Sequence, residues 1–391
     1  MEFELWWLLA IPLFFSLGWI AARIDIRHVV RESRALPRSY FQGLNYLLLE
    51  QQDRAVDAFI EATREDPQAL DLQFALGALF RRRGESDRAI RMHQSLIERD
   101  DLKPDRRLDA LSELGQDYLK AGLLDRAEEA FQKLLDTARH DDALKYLLEI
   151  YQQEKEWKKA IAIADRLPDH ASVLWQKQVA NFYCEIAASA LTHSRPGDAR
   201  AALDAALHEN RKCVRASILL GDLYAQEQNH TAAIEAWKRV EQQNPIYLAM
   251  VAGRLMEAHQ KLGRGAEGLQ LLRGYLASNP SLDLLDTVFE AELADGGAQA
   301  ALALVREELR RNATLLGLGK LLEAQTMLAP PDARADLELT KGIIHNHTRR
   351  VARYRCDACG FKARQFYWRC PGCGGWETYP PKRTEEFDLT P

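Results

Sequence analysis

Two hydrophobic rhythms run along the chain. From Leu5 to Ala22 it reads LWWLLAIPLFFSLGWIAA, with no charged residue. At about 1.5 Å per helical residue, ~18 residues span ~27 Å, enough for a bilayer's hydrocarbon core. Trp6, Trp7 and Trp19 stand near the two ends, where indole rings favour the membrane interface. Pro12 is costly in a water-exposed helix and tolerated in a membrane span. Beyond residue 36 the apolar positions follow a helical period instead, in segments parted by short polar turns. The pattern predicts one spanning helix followed by a long array of packed helices, an all-α chain.

The array repeats at a period near 34 residues. The line Gly43, Tyr46, Ala55, Phe59, Ala62, Pro67 recurs as Gly77, Phe80, Ala89, His93, Leu96 and as Gly115, Tyr118, Ala127, Phe131, Leu134. Leu148, Tyr151, Ala160, Ala164, Leu167 is a weaker copy. Gly221, Tyr224, Ala233, Trp237, Val240, Pro245 is the cleanest late one, and Met256, His259, Gly268, Leu272, Tyr275, Pro280 a degenerate one. Stretches 180–210 and 282–312 keep mainly the apolar rhythm. This resembles the tetratricopeptide repeat, a pair of helices per repeat. Small residues let the two helices approach, aromatic side chains fill the gaps between successive pairs, and proline ends the second helix. Gly84, Gly122 and Gly263 fall in turns that favour positive φ. In that family the first helices line a concave face, which here places Leu44, Ala78, Gln116, Glu149, Ala188, Asp222 and Glu257 towards a ligand. The asparagine that co-chaperone members use there to clamp a peptide carboxylate is absent from these positions. Arg81, Arg82, Lys120 and Lys145 are candidates for the groove lining.

Charge sets the orientation. Arg23, Arg27, Arg31, Arg34 and Arg38 follow the apolar span, and only Glu2 and Glu4 precede it. The positive-inside rule puts the bulk of the chain in the cytoplasm. A cleaved signal peptide would carry the opposite charge order. Over 391 residues, 52 basic and 57 acidic side chains leave a net −5, which argues against a general nucleic-acid binder.

Four of the six cysteines stand as Cys356-Asp-Ala-Cys359 and Cys370-Pro-Gly-Cys373. Paired C-x-x-C motifs at this spacing can converge on one tetrahedral metal ion, and four thiolates leave no position open for water. Such a site is structural. Zinc and iron both fit the spacing. Gly360, Gly374 and Gly375 follow the pairs, and Phe361, Phe366, Tyr367, Trp368 and Trp376 offer an apolar shell. The segment resembles a rubredoxin-like zinc ribbon, its second half fully and its first half with Asp-Ala in place of Pro-x. A dithiol redox pair and a nucleic-acid-binding ribbon, the latter using Arg349, Arg350, Arg353 and Arg355, are rival readings. Cys184 and Cys213 read as separate buried apolar residues, and His345 and His347 as a helix end or linker. No phosphate-binding loop, dinucleotide fingerprint, metalloprotease or nucleophile-elbow motif is present, which points away from an enzyme.

The order of anchor, basic exit, repeats and cysteine tail resembles the lipopolysaccharide assembly protein B family. The opening MEF, Gly18-Trp19 and the tail CDxCGFxxxxxxWxCPxC carry the match, over essentially the whole chain. The resemblance implies a transmembrane anchor at 1–22, a basic linker at 23–35, about eight to nine repeats over 36–345, a rubredoxin-like domain at 350–380 packed on them, and a tail at 381–391. It implies a single-pass protein of the cell inner membrane, an adaptor in lipopolysaccharide regulation. Its implied partners are a membrane-anchored ATP-dependent zinc metalloprotease, the lipid A pathway deacetylase as proteolytic substrate, and other inner-membrane regulatory or assembly proteins. A homo-oligomer is compatible with it. A membrane-tethered assembly scaffold or co-chaperone without a proteolytic role is the alternative.

Overall fold

The computed structural model describes residues 38–65, 69–169 and 171–385. The expected span at 1–22, the linker at 23–35 and the last six residues lie outside the described residues. No helix among the described residues is long and apolar enough to cross a membrane. The fold divides into two compact units at Ile150 and Tyr151, and each is built from successive helix pairs.

The first unit holds α1 (Arg38–Leu48), α2 (Gln52–Glu65), α3 (Leu70–Arg82), α4 (Ser86–Ile97), α5 (Pro104–Lys120), α6 (Leu124–Gln132) and most of α7 (His140–Glu154). Its core includes Ala55, Phe59, Ala62, Leu72, Leu76, Phe80 and Ala89, all buried. The sequence offset between the small residue and the aromatic one has a direct steric cause. A Cβ at Gly43 would lie 2.9 Å from the Phe59 ring, at Gly77 2.5 Å from His93, and at Gly115 2.7 Å from Phe131. In the second unit a Cβ at Gly221 would meet Trp237 at 2.3 Å. The ring therefore seats on the glycine of its own pair, where the sequence pattern had placed it between pairs. Only a missing side chain permits that approach.

One buried polar network crosses this unit. His93 Nδ1 lies 2.5 Å from Asp117 Oδ2, and both side chains are fully buried. Arg81 bonds Asp117 Oδ1 and Glu113 Oε2, each at 2.7 Å. Burial alone would draw the Arg81 guanidinium down, but the bonds to Asp117 and Glu113 outweigh it and push its pKa up. Arg81 is thus committed to holding α3 against α5.

The second unit continues with α8 (Trp157–Ala164), α9 (Val173–Thr192), α10 (Pro196–Glu209), α11 (Val214–Gln226), α12 (His230–Gln243), a 3₁₀ turn at Pro245–Tyr247, α13 (Leu248–Lys261), α14 (Gly265–Ser278), α15 (Leu282–Arg311), α16 (Leu315–Leu328) and α17 (Pro331–Val351). Side chains cap the helices where the sequence supplies them: Asn229 Oδ1 accepts from the Ala232 N–H at 3.2 Å, and Thr314 Oγ1 from the Gly317 N–H at 3.1 Å. α15 is broken at Gly297, whose φ of 72° and ψ of −175° leave the helical region. The degenerate stretch 282–312 is therefore two helical halves joined by one glycine. In α13 and α14 the small residue has moved to the second helix, where a Cβ at Gly268 would strike His259 at 2.8 Å.

After α17 come three short antiparallel strands, β1 (Ala352–Arg355), β2 (Lys362–Ala363) and β3 (Thr384–Glu385), with β1 in the middle. Tyr354 pairs with Ala363, and Arg353 with Thr384. Tyr379 is fully buried beneath them and donates its hydroxyl to the Tyr354 carbonyl at 3.0 Å.

Candidate metal centre

Each C-x-x-C pair forms the same backbone knuckle. The Cys356 N–H donates to the Phe361 carbonyl and the Gly360 N–H to the Cys356 carbonyl, both at 2.9 Å. In the second pair the Cys370 N–H donates to the Gly375 carbonyl at 2.9 Å and the Gly374 N–H to the Cys370 carbonyl at 2.8 Å. Gly360 and Gly374 sit at φ of 75° and 71°, a conformation that would strain a side chain. Two knuckles of one shape aim four sulfurs at one point.

The four Sγ atoms lie within 4.8 Å of one another. Cys356 and Cys373 are 3.8 Å apart, and Cys359 and Cys370 3.7 Å. A tetrahedron with metal–sulfur bonds of about 2.3 Å has sulfur–sulfur edges of about 3.8 Å, whereas a disulfide requires about 2.05 Å. The donor set and its spacing fit one metal ion. Each knuckle contributes one buried sulfur, from Cys356 or Cys370, and one exposed, from Cys359 or Cys373. No histidine or carboxylate joins the group among the described residues. His345 lies on α17 instead, beside Leu282, Leu316 and Ile344.

Electrostatics at the sulfurs are divided. Burial pushes the Cys356 thiol up, but the Thr378 hydroxyl and the N–H groups of Cys359 and Ala358 outweigh it and bring its pKa down to about 6. At Cys359 the Phe361 N–H pulls down, while burial and the three neighbouring sulfurs push its pKa up to about 12. Like charges at this spacing resist full ionisation, which is what a cation would relieve.

The ribbon is docked on the helices by aromatic rings and a few ion pairs. Trp376 is buried and packs edge-on to Trp157 and Phe182, each at 6.0 Å between centroids. Trp368 stacks on Tyr247 at 5.3 Å with the planes 2° from parallel. The Arg215 guanidinium lies 5.6 Å from the Trp368 ring and 5.8 Å from the Trp376 ring, and it pairs with Glu185 at 2.8 Å. Glu377 accepts from Asn181 at 2.8 Å and pairs with Lys177 at 3.0 Å. Lys177, Asn181 and Glu185 are four residues apart on α9 and so share one face. Arg369 donates to the Gln152 carbonyl at 3.3 Å, and Arg383 pairs with Asp283.

None of these docking residues on the helices was singled out by the sequence pattern. Trp157, Phe182 and Arg215 occupy ordinary positions of their repeats, and their partners lie some 150–220 residues away. The sequence also kept Cys184 and Cys213 apart. They meet, fully buried, at 3.8 Å between sulfurs, and burial pushes the Cys184 thiol up. Of the expected groove residues, Asp222 pairs with Arg254 at 2.8 Å, Glu257 with Lys261 at 2.7 Å and Lys145 with Asp142 at 3.6 Å. Arg81 is withdrawn into the network with Asp117, so it is not a free groove cation.

The chain matches two family models: a rubredoxin metal binding domain over residues 354–381, and the tetratricopeptide repeat over 42–101, 112–172 and 184–245. It is similar to lipopolysaccharide assembly protein B of Escherichia coli K12, at 35% identity over 96% of this chain and 97% of that one. It is also similar to lipopolysaccharide assembly protein B of Haemophilus influenzae, at 31% identity over 97% of this chain and 98% of that one.

Proposed function

The chain belongs to the lipopolysaccharide assembly protein B family, and from that membership we propose that it is a non-enzymatic adaptor regulating lipopolysaccharide synthesis. In this reading it brings the lipid A pathway deacetylase to a membrane-anchored ATP-dependent zinc metalloprotease for degradation. Residues 1–22 anchor it in the cell inner membrane, 23–35 form a basic cytoplasmic linker, 36–345 form the repeat array and 350–380 the ribbon. Cys356, Cys359, Cys370 and Cys373 hold one structural metal ion, zinc or iron. The ion supplies no reaction; it cross-links two knuckles whose own core is small.

The observation that carries the proposal is the docking of Trp376 and Trp368. They join the four-cysteine ribbon to helices from α8 to the 3₁₀ turn, giving one extended surface built for contact and no open coordination position. Tethering such a surface beside a membrane protease raises their effective concentration with no new contact. The test is the half-life of the deacetylase in cells depleted of this protein. The proposal expects it to lengthen several-fold. An unchanged half-life rejects the proteolytic role and favours an envelope assembly scaffold.

A further inference from the structure

The first unit carries a groove between α2, α3 and α4, about 430 Å³ in volume. Its floor is Ile60, Leu76, Phe80 and Met92, and its polar rim is Thr63, Arg64, Arg88, Arg91 and Ser95. No carboxylate lines it among the described residues. The two hydroxyls are turned to their own helices, Thr63 donating to the Phe59 carbonyl and Ser95 to the Met92 carbonyl. The cationic character of the groove thus rests on three exposed arginines. Arg88 lies 4.0 Å from the Phe80 ring centroid and bonds Glu85, so its guanidinium is held in place at the rim. Arg91 is exposed at the same rim. The first helices of the repeats, which carry the expected ligand positions Leu44, Ala78 and Gln116, do not supply these arginines.

We propose that this groove binds an acidic peptide segment of a partner protein that carries one bulky apolar side chain between its carboxylates. The charge complementarity is direct: planar guanidiniums pair carboxylates through two parallel hydrogen bonds, and their more weakly hydrated charge lowers the cost of binding. The shape selects a peptide over a bilayer. Leu76 and Phe80 are each only 3% exposed and belong to the core, so the apolar surface open to a ligand between the arginines is the half-buried Ile60 and Met92. A flat lipid surface meets the exposed guanidiniums first, whereas one inserted side chain reaches Ile60 and Met92. The inference goes beyond the adaptor reading and stands whether or not that reading holds.

The experiment uses the full chain in phosphatidylcholine nanodiscs. The probe is a fluorescein-labelled pentapeptide with one phenylalanine between two pairs of acidic residues, titrated by fluorescence polarisation. Binding is expected to weaken at least tenfold with Arg91→Glu, two- to fivefold with Arg91→Lys, and at least fivefold when glycine replaces the phenylalanine. Lys133→Glu, an exposed charge change outside the groove, is expected to leave binding unchanged. Equal affinity of wild type and Arg91→Glu overturns the proposal. So does amide protection of residues 60–95 that appears only when the discs contain phosphatidylglycerol, with no peptide binding; the groove then faces lipid.

Discussion

Asn181 donates its side-chain N–H to Glu377 at 2.8 Å, joining α9 to the ribbon across 196 positions of sequence. Asn181 is fully buried, and Glu377 sits at a φ of 53°, so the ribbon backbone is bent to deliver this carboxylate. Lys177 completes the contact at 3.0 Å. Glu377→Ala removes both bonds and leaves one Asn181 N–H without a partner, the other still donating to the Lys177 carbonyl at 3.0 Å, at a cost of about 1–3 kcal/mol. Amide exchange of the ribbon is expected to quicken while exchange in α1 to α6 stays as it was. Unchanged exchange in the ribbon would mean the aromatic contacts alone dock it.

The sulfur spacing sets the second expectation. Cys370→Ser or strong chelation should remove one metal ion per chain and loosen Tyr379 and Trp376. The readout is metal content with tryptophan fluorescence, which should shift to the red as Trp376 meets water. Full metal retention in Cys370→Ser would show that three sulfurs suffice.

The space around an added Cβ predicts opposite signs at two glycines. Gly221→Ala drives a methyl to 2.3 Å from Trp237, an overpacking that costs about 1–3 kcal/mol. Gly253 is exposed on α13 with nothing within 4 Å of an added Cβ, so Gly253→Ala stabilises by about 1 kcal/mol through helix propensity. Urea midpoints should fall for the first variant and rise for the second.

Asp117 is fully buried between His93 and Arg81. Asp117→Ala leaves Arg81 paired with Glu113 alone and strands the buried His93 Nδ1, at about 1–3 kcal/mol. The loss should appear in amide exchange of the first unit, α3 to α5 first.

His259 gives a pH dependence. Burial draws its pKa down, Lys238 and Arg264 add to that, and Glu267 opposes it. Neither ring nitrogen has a hydrogen-bond partner among the described residues. A folded-state pKa below the unfolded value of about 6.5 means the unfolded chain takes up the proton first. The contribution is complete above about pH 6.5 and is lost as pH falls through the lower folded value. His259→Leu should flatten the decline in urea midpoint between about pH 7 and 5.

What the sequence made legible was local. The offset from Gly43 to Phe59, repeated at Gly77, Gly115 and Gly221, reports contacts inside one helix pair, so periodicity reveals it. The spacing of Cys356, Cys359, Cys370 and Cys373 likewise encodes two knuckles that fold within some twenty residues. The docking of Trp376 on Trp157 and Phe182 left no such trace, because an aromatic residue facing a distant domain reads the same as one facing its own pair. The withdrawal of Arg81 was hidden for the same reason: Asp117 arrives from the next pair, and a charged residue on a helix surface is read as solvated. The break at Gly297 was legible only as a weak repeat.

The central claim, that the ribbon and the repeats act as one adaptor, is tested most directly by the half-life of the lipid A deacetylase in depleted cells supplied with wild type, Glu377→Ala or Cys370→Ser at equal levels. The account predicts rapid turnover with wild type, slower turnover with Glu377→Ala and the longest half-life with Cys370→Ser. Rapid turnover with all three would contradict it.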